Sequence, residues 1–369
     1  MKKTKVLASV LALSAMFNLV ATAQPNVKVY VNGMRVEEDV VMKNDRTYIP
    51  LRAVSEAMGA QVEWDDTSKS AFISFTEDDA IAQIVEDVSP SVVTIIGNYN
   101  TGGTSSSYNN PTAHGSGVIY KNNGYIITNE HVVKDIKNLT VILNDGTAVA
   151  GKVLYSDTEA DLAIVKIDKI GLKNISFAQE DSVISGKTAI AIGTPISLSM
   201  RNTVTKGIIS GTDVAMSDSY YKLLQTDASI NPGNSGGPLL NTKGELIGIN
   251  SSKFSGVGID NMAFAIPVDT VEYVINQFET YGYITKPQIK VELEPSWEAK
   301  IGIPTQKGLT VKTSSDDALK PGDVVVSVNG INVHSVADWN EAIKDTYISG
   351  ATVKVEITRG DAKTEVLVK

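Results

Sequence analysis

Cysteine is absent from the 369-residue chain, and histidine occurs three times, as His114, His131 and His334. Without cysteine there is no thiol nucleophile, no thiolate metal site and no disulfide framework, so each domain must be stable on packing alone. No histidine sits in an H-E-x-x-H pattern, which argues against a histidine-rich zinc site. No metal and no cofactor is expected, and imidazole acid–base chemistry has three candidates in all. Cationic charge is also scarce. Lys and Arg number 33 against 42 Asp and Glu, a formal charge of −9, so no nucleic-acid partner is expected, since phosphate contacts need clustered cations. No Walker or dinucleotide glycine pattern occurs, which fits a chemistry without nucleotide. Hydrophobic residues make up 42% of the chain, an ordinary share for a globular protein and too high for wholesale disorder.

The one long apolar run is at the start. Lys2, Lys3 and Lys5 precede Val6 to Val20, and Ala21-Thr22-Ala23 supplies a small-x-small cleavage pattern. Residues 1–23 therefore read as a signal peptide cleaved near Ala23, and the protein as exported: extracellular, cell-wall-associated or periplasmic. An uncleaved anchor is the alternative, but the run is short for a span and Asn18 interrupts it. The remainder is long enough for two or three domains.

Residues 26–76 read as a small α+β unit. Val27 to Val31 and Met34 to Val36 flank the hairpin dipeptide Asn32-Gly33, Pro50 can open a helix and Gly59 can end it, and Val62 to Trp64 and Ala71 to Phe75 close the unit as strands. The run from Val27 through Arg46, Pro50, Leu51, Arg52 and Gly59 to Trp64 resembles the copper amine oxidase N-terminal-like stalk domain. The segment has no histidine or cysteine, so a spacer or cell-wall contact is expected of it rather than copper chemistry.

From Val92 to about Val268 the chain turns to short strands punctuated by Gly, Asn and Asp, the pattern of an all-β sandwich or barrel. The expected strands are Val92 to Ile96, Gly117 to Tyr120, Tyr125 to Thr128, Leu139 to Leu143, Leu162 to Ile167, Ala189 to Ile192, Gly207 to Ser210, Leu239-Leu240 and Leu246 to Ile249. Asn98 to Thr112 reads as a Gly/Ser/Asn-rich surface loop. Asp269 is the expected N-cap of a helix carrying Val271, Val274, Ile275 and Phe278, ended by Gly282.

The densest motif is Asn231-Pro232-Gly233-Asn234-Ser235-Gly236-Gly237-Pro238. Glycines around a serine permit a sharp turn whose backbone N–H groups converge, the arrangement acyl transfer needs for a tetrahedral oxyanion. An ordinary Gly/Pro turn is the competing reading. Two further segments tip the balance: His131 just after an apolar strand, and Asp161 at the head of another. A serine hydroxyl needs a base, and that imidazole needs a carboxylate to fix its tautomer. His131, Asp161 and Ser235 supply these parts in the chain order of chymotrypsin-type enzymes.

Thr128-Asn129-Glu130-His131-Val132-Val133, Asp161 to Ile167 and Gly233 to Leu239 resemble the motifs of HtrA/Deg secreted serine endopeptidases. The resemblance also takes in Val88 to Val93 at the opening and Ala263 to Pro267 at the close. It implies a chymotrypsin-like double β-barrel over residues 80–282, with Ser235 as nucleophile, His131 as general base and acid, and Asp161 as its orienter. It also implies an oxyanion hole from Gly233, Asn234 and Ser235 and a primary specificity pocket at Ile230, Asn250 and Ser251, favouring small or medium apolar residues. Two positions depart from the family. Glu130, beside the base, is expected to point outward into solvent, and His114 is expected to be a loop residue without a catalytic role. His334 is expected at the surface or in packing.

Residues 286–369 resemble a PDZ domain through Ile301-Gly302-Ile303, Gly308 to Val311 and Leu319 to Gly330. Ile301, Gly302 and Ile303 map to the carboxylate-binding loop, and Val336, Trp339, Ala342 and Ile343 to the helix beside a peptide groove. The short Thr313 to Ala318 connection leaves a packing domain without peptide binding as the alternative.

The fold expected is thus mainly β: a double-barrel protease domain flanked by a stalk-like domain and a PDZ domain. The function expected is ATP-independent endoproteolysis of unfolded or damaged proteins, with C-terminal peptides as PDZ ligands and a homotrimer by resemblance. An envelope chaperone or peptide-binding protein with a gated or inactive triad is the alternative, and a cell-wall scaffold is a third reading. The stalk-like segment leans toward a Gram-positive-type exterior.

Overall fold

The computed structural model describes residues 27–31, 34–36, 40–74, 77–99, 112–216, 219–254, 261–283, 290–303, 305–346 and 352–368. The expected leader, the Asn32-Gly33 turn, most of the 98–112 insert and the start of the linker at Lys286-Pro287 lie outside them. Among the described residues no helix is long and apolar enough to cross a membrane. The chain divides into two compact units, residues 1–80 and 81–369.

The first unit is built from three antiparallel hairpins, Val29–Val31 with Met34–Val36, Val41–Lys43 with Arg46–Tyr48, and Gln61–Asp65 with Ser70–Ser74. The helix Leu51–Ala57 follows Pro50, whose fixed φ suits a helix entry. Arg52 bonds Glu56 at 3.0 Å and the Val62 carbonyl at 2.7 Å, tying this helix to the third hairpin. Tyr30, Tyr48, Trp64 and Phe72 are all exposed.

The second unit holds two barrels. Strands Val92–Tyr99, Thr112–Lys121, Tyr125–Thr128, Leu162–Ile167, Ala148–Asp157 and Ile136–Ile142 follow one another round the first, and the last pairs with the first. The second barrel runs Glu245–Ser251, Pro238–Leu240, Thr188–Gly193, Thr203–Val214, Leu223–Thr226 and Ala263–Pro267, and closes where Ala263–Pro267 meets Glu245–Ser251. Closure removes the unpaired strand edges that an open sheet would expose. The strand Ala148–Asp157 was not expected from the sequence, because Gly151, Lys152 and Ser156 break its apolar alternation. A hydrophobic cluster including Ile127, Leu162, Ile164, Ile192 and Leu246 joins the barrels to the helix Val268–Tyr281. Each such side chain contributes about 1.5–3 kcal/mol on burial.

That helix ends at Gly282 in the left-handed conformation, as expected, but its N-cap is Pro267 rather than Asp269. Asp269 lies within the first turn, where its carboxylate accepts a 2.7 Å hydrogen bond from Lys344.

The C-terminal domain is a sheet ordered Val291–Pro295, Leu309–Ser314, Val324–Val328, Val353–Arg359, Ala362–Val368, covered by the helix Val336–Thr346. Leu309, Val325, Trp339, Ile343, Val355 and Ile357 form its core. The helix also fastens this domain to the protease barrels. Lys344, almost fully buried, reaches Asp269, Glu341 and Thr270, Lys222 pairs with Asp338 at 2.8 Å, and Asn340 donates to the Tyr220 carbonyl. Burial alone would push the Lys344 ammonium down, but Glu341 and Asp269 hold it above its ordinary range. It therefore stays charged, which a buried cation manages only when paired.

Candidate catalytic cleft

His131 sits on a single helical turn, Glu130–Val133, directly after the strand Tyr125–Thr128. Asp161 comes immediately before Leu162–Ile167, and pairing of Thr128 with Ala163 brings the two strand ends together. Asp161 has φ +52°, a left-handed conformation strained in any residue but glycine and tolerated best by asparagine and aspartate. The strain is held by its own carbonyl, which accepts from Glu130 N–H at 3.1 Å and Asn129 Nδ2 at 3.0 Å. The Asp161 carboxylate is wholly buried and faces His131 Nδ1 at 2.9 Å to each oxygen. It also accepts from His131 N–H and the Ser251 hydroxyl, each at 3.1 Å. With Nδ1–H directed at the carboxylate, Nε2 carries the free lone pair.

The serine turn is fixed from both barrels. Asn234 N–H donates to Asn231 O, Gly236 N–H to Asn250 O, and Gly237 N–H to Asn234 O, all at 2.9–3.0 Å. Among the described residues, the N–H groups of Gly233 and Ser235 donate to no carbonyl, so of the three expected oxyanion donors Asn234 is already spent. Gly233 has φ +104°, and a β-carbon there would lie 2.1 Å from Thr194 O, so glycine is required by conformation and by space.

Ser116, which no sequence motif singled out, clamps the turn. Its N–H donates to Ser235 O at 2.8 Å and its hydroxyl to Gly233 O at 2.7 Å, while Thr194 N–H donates to Ser116 Oγ at 3.0 Å. The sole sequence signal for it was its place in the alternating run His114-Gly115-Ser116-Gly117-Val118.

Ile230 belongs to the apolar core of the second barrel, and Asn250 Nδ2 ties down the Pro238 carbonyl. The structure therefore gives Ser251 a hydrogen bond to Asp161 and Asn250 a backbone anchor, with Ile230 the apolar member of the trio. Glu130 does not point outward: it is buried, with Thr158 Oγ1 at 3.3 Å and Lys134 Nζ at 3.6 Å, because its turn packs against the first barrel. His114 is a strand residue paired with Ile96 rather than a loop residue, and its Nε2 lies against Gly233. His334 sits on the C-terminal domain, its exposed ring 3.2 Å from the Lys307 carbonyl.

In the C-terminal domain, Ile301, Gly302 and Ile303 close the short helix Trp297–Lys300. Their N–H groups donate to the carbonyls of Glu298 and Ala299, which leaves this turn no donor for a carboxylate and corrects the expectation placed on it. A cavity of about 440 Å³ is instead lined by Val291, Leu293, Val336, Trp339 and Asn340 of this domain together with Tyr220 and Lys253 of the protease domain.

Residues 115–249 match the trypsin-like peptidase domain, 299–369 the PDZ domain and 18–86 the copper amine oxidase N-terminal domain. The serine protease Do-like HtrB of Bacillus subtilis is 36% identical over 317 residues, covering 77% of this chain and 69% of the relative. The chain belongs to the HtrA family of serine proteases. This HtrA-type protein is a serine-type endopeptidase with a PDZ domain, acting on peptide or protein substrates. It is also 37% identical over 242 residues to a probable periplasmic serine endoprotease, DegP-like, of Brucella suis, covering 62% of this chain and 47% of that one. Among solved structures, the HtrA-type protease AlgW with decapeptide superposes at a TM-score of 0.64 with 27% identity, over 78% of this chain and 97% of that one. In the copper amine oxidase match, residues 18–86 hold no histidine and no cysteine, so imidazole and thiolate donors are absent from it, and no step of this HtrA-type enzyme is assigned to copper.

Proposed function

We propose that His131, Asp161 and Ser235 form the catalytic triad of an exported, ATP-independent endopeptidase for unfolded or damaged proteins. The observation that carries this reading is the wholly buried Asp161 carboxylate, bonded to His131 Nδ1 in the cleft where the serine turn lies. His131 Nε2 takes the Ser235 proton as Oγ attacks the scissile carbonyl carbon. The carbonyl electron pair moves onto oxygen, which the N–H groups of Gly233 and Ser235 receive. The imidazolium then protonates the leaving amine, and an acyl-enzyme forms as the peptide bond breaks. Water, deprotonated by the same Nε2, releases the acid and restores Ser235.

The specificity pocket expected around Ile230 suits small or medium apolar side chains. For the PDZ domain, the groove between Val291–Pro295 and Val336–Thr346 suits an added peptide strand, with Val336 and Leu293 as apolar contacts. Domain limits of 26–76, 80–282 and 286–369, a homotrimer, and removal of a leader near Ala23 complete the proposal. Export is supported by the periplasmic name of the Brucella relative and by the leader pattern. Cell-wall contact through residues 26–76 is supported by the exposed Tyr30, Tyr48 and Trp64, since aromatic faces with polar tips suit glycan and peptide surfaces, and by the exposed ring of Phe72.

The test is degradation of unfolded casein by residues 24–369 beside a Ser235→Ala variant. Fragments should appear with the parent and not with the variant, while unfolded-protein binding is retained. Casein degraded at the parental rate by Ser235→Ala would overturn the triad.

A further inference from the structure

The Ser235 hydroxyl does not bond to His131. No hydrogen bond within 3.5 Å joins these two described residues. Ser235 Oγ lies 2.7 Å from Ser252 Oγ and accepts the Ser252 N–H at 3.0 Å. Ser252 opens the 3-10 turn Ser252–Phe254, one residue after Ser251, whose hydroxyl is on Asp161. Adjacent serines thus take hold of two different members of the cleft: Ser251 steadies the carboxylate, and Ser252 engages the nucleophile.

We infer that Ser252 is a positioning residue that holds the Ser235 hydroxyl away from His131 and so restrains acylation. The inference rests on the triad reading. A hydroxyl oxygen has one proton and two lone pairs. If the Ser235 proton lies toward Ser252 Oγ, it is not directed at His131 Nε2. If the Ser252 hydroxyl donates instead, both Ser235 lone pairs are engaged, and the pair needed for attack on a carbonyl is occupied. In either arrangement Ser235 has to turn about its Cα–Cβ bond and give up contacts with Ser252 before Oγ–H can donate to Nε2. The base itself is already in place, because Asp161 fixes its tautomer and orientation. The restraint therefore falls on the nucleophile alone.

The opposite role is also chemically available, since two donors on Oγ would stabilise an alkoxide and speed attack. Replacing the hydroxyl separates the two. Ser252→Ala keeps the backbone N–H and deletes the Oγ contact, and Ser252→Thr keeps the hydroxyl. The full chain, its Ser235→Ala variant and both Ser252 variants would be titrated with an organophosphorus fluoride that labels activated serines, and followed on a chromogenic peptide. Ser252→Ala should label about three- to tenfold faster, the gain expected from releasing one neutral hydrogen bond. Its kcat should rise at unchanged KM, with the acid limb of the pH profile unmoved because His131 and Asp161 are untouched. Ser252→Thr should return to the parental rate. Labelling in Ser252→Ala that is unchanged or slower, or Ser252→Thr matching Ser252→Ala, would overturn the restraint. Ser235→Ala separates the two levels of failure: label incorporated there at the parental rate would sink the triad reading itself, whereas a silent Ser235→Ala with no gain in Ser252→Ala would sink the restraint alone.

Discussion

Two glycine-bearing turns in this chain dispose of their backbone N–H groups in opposite ways. In Asn231–Pro238 the Gly233 and Ser235 N–H groups stay undonated among the described residues, because Ser116, itself held by Thr194 N–H, and Asn250 hold the turn open from outside. In Ile301–Ile303 the N–H groups fold back onto the carbonyls of Glu298 and Ala299, which finishes a helix of one turn. Both glycines have positive φ, +104° at Gly233 and +76° at Gly302. Their surroundings differ completely, since a β-carbon at Gly233 would strike Thr194 O and one at Gly302 would meet nothing within 4 Å. A glycine turn keeps its donors free when other parts of the fold satisfy its carbonyls; with no such support it satisfies itself.

The largest expected effect tests that support directly. Gly233→Ala should lower kcat by about 10²–10³, the usual cost of losing one oxyanion donor, with the circular dichroism of the barrels retained. Parental kcat in that variant would break the contrast between the turns. Ser116→Ala comes next. It leaves the Gly233 carbonyl and the Thr194 N–H buried without their partner, so unfolding should cost about 1–3 kcal/mol less in a denaturant titration. The kcat should fall about tenfold as the turn loosens; loss of stability with kcat intact would show that the clamp is structural only. Gly302→Ala should do least. Open space around it leaves backbone strain of about 1 kcal/mol as its cost, and peptide affinity measured by calorimetry should not change. A large fall in affinity would return this turn to the binding site.

The triad candidates were legible in the sequence because their signals are local. Gly-Asn-Ser-Gly-Gly can hardly be anything but a tight turn, and His131 and Asp161 stand at the ends of strands marked by apolar runs. Signals spread over distance were not legible. Ser116 and Ser252 are single hydroxyls whose partners lie 117 and 17 residues away. Glu130 reads as a surface acid until Lys134 and Thr158 are placed beside it. His114 reads as loop until its strand register with Ile96 is known. Asp269 has the composition of an N-cap, but the buried Lys344 of a later domain draws it into a different bond.

The sequence by itself determined the reaction class, the domain order and the mainly β architecture, because turn chemistry, strand periodicity and the motifs carrying the triad candidates are written in short stretches of chain. Tertiary structure alone decided which N–H groups of the serine turn stay free, which way the Ser235 hydroxyl leans, and how the PDZ helix fastens to the barrels. Those outcomes depend on where each polar group finds its partner, and a buried hydrogen bond is chosen by the fold's geometry rather than by sequence distance.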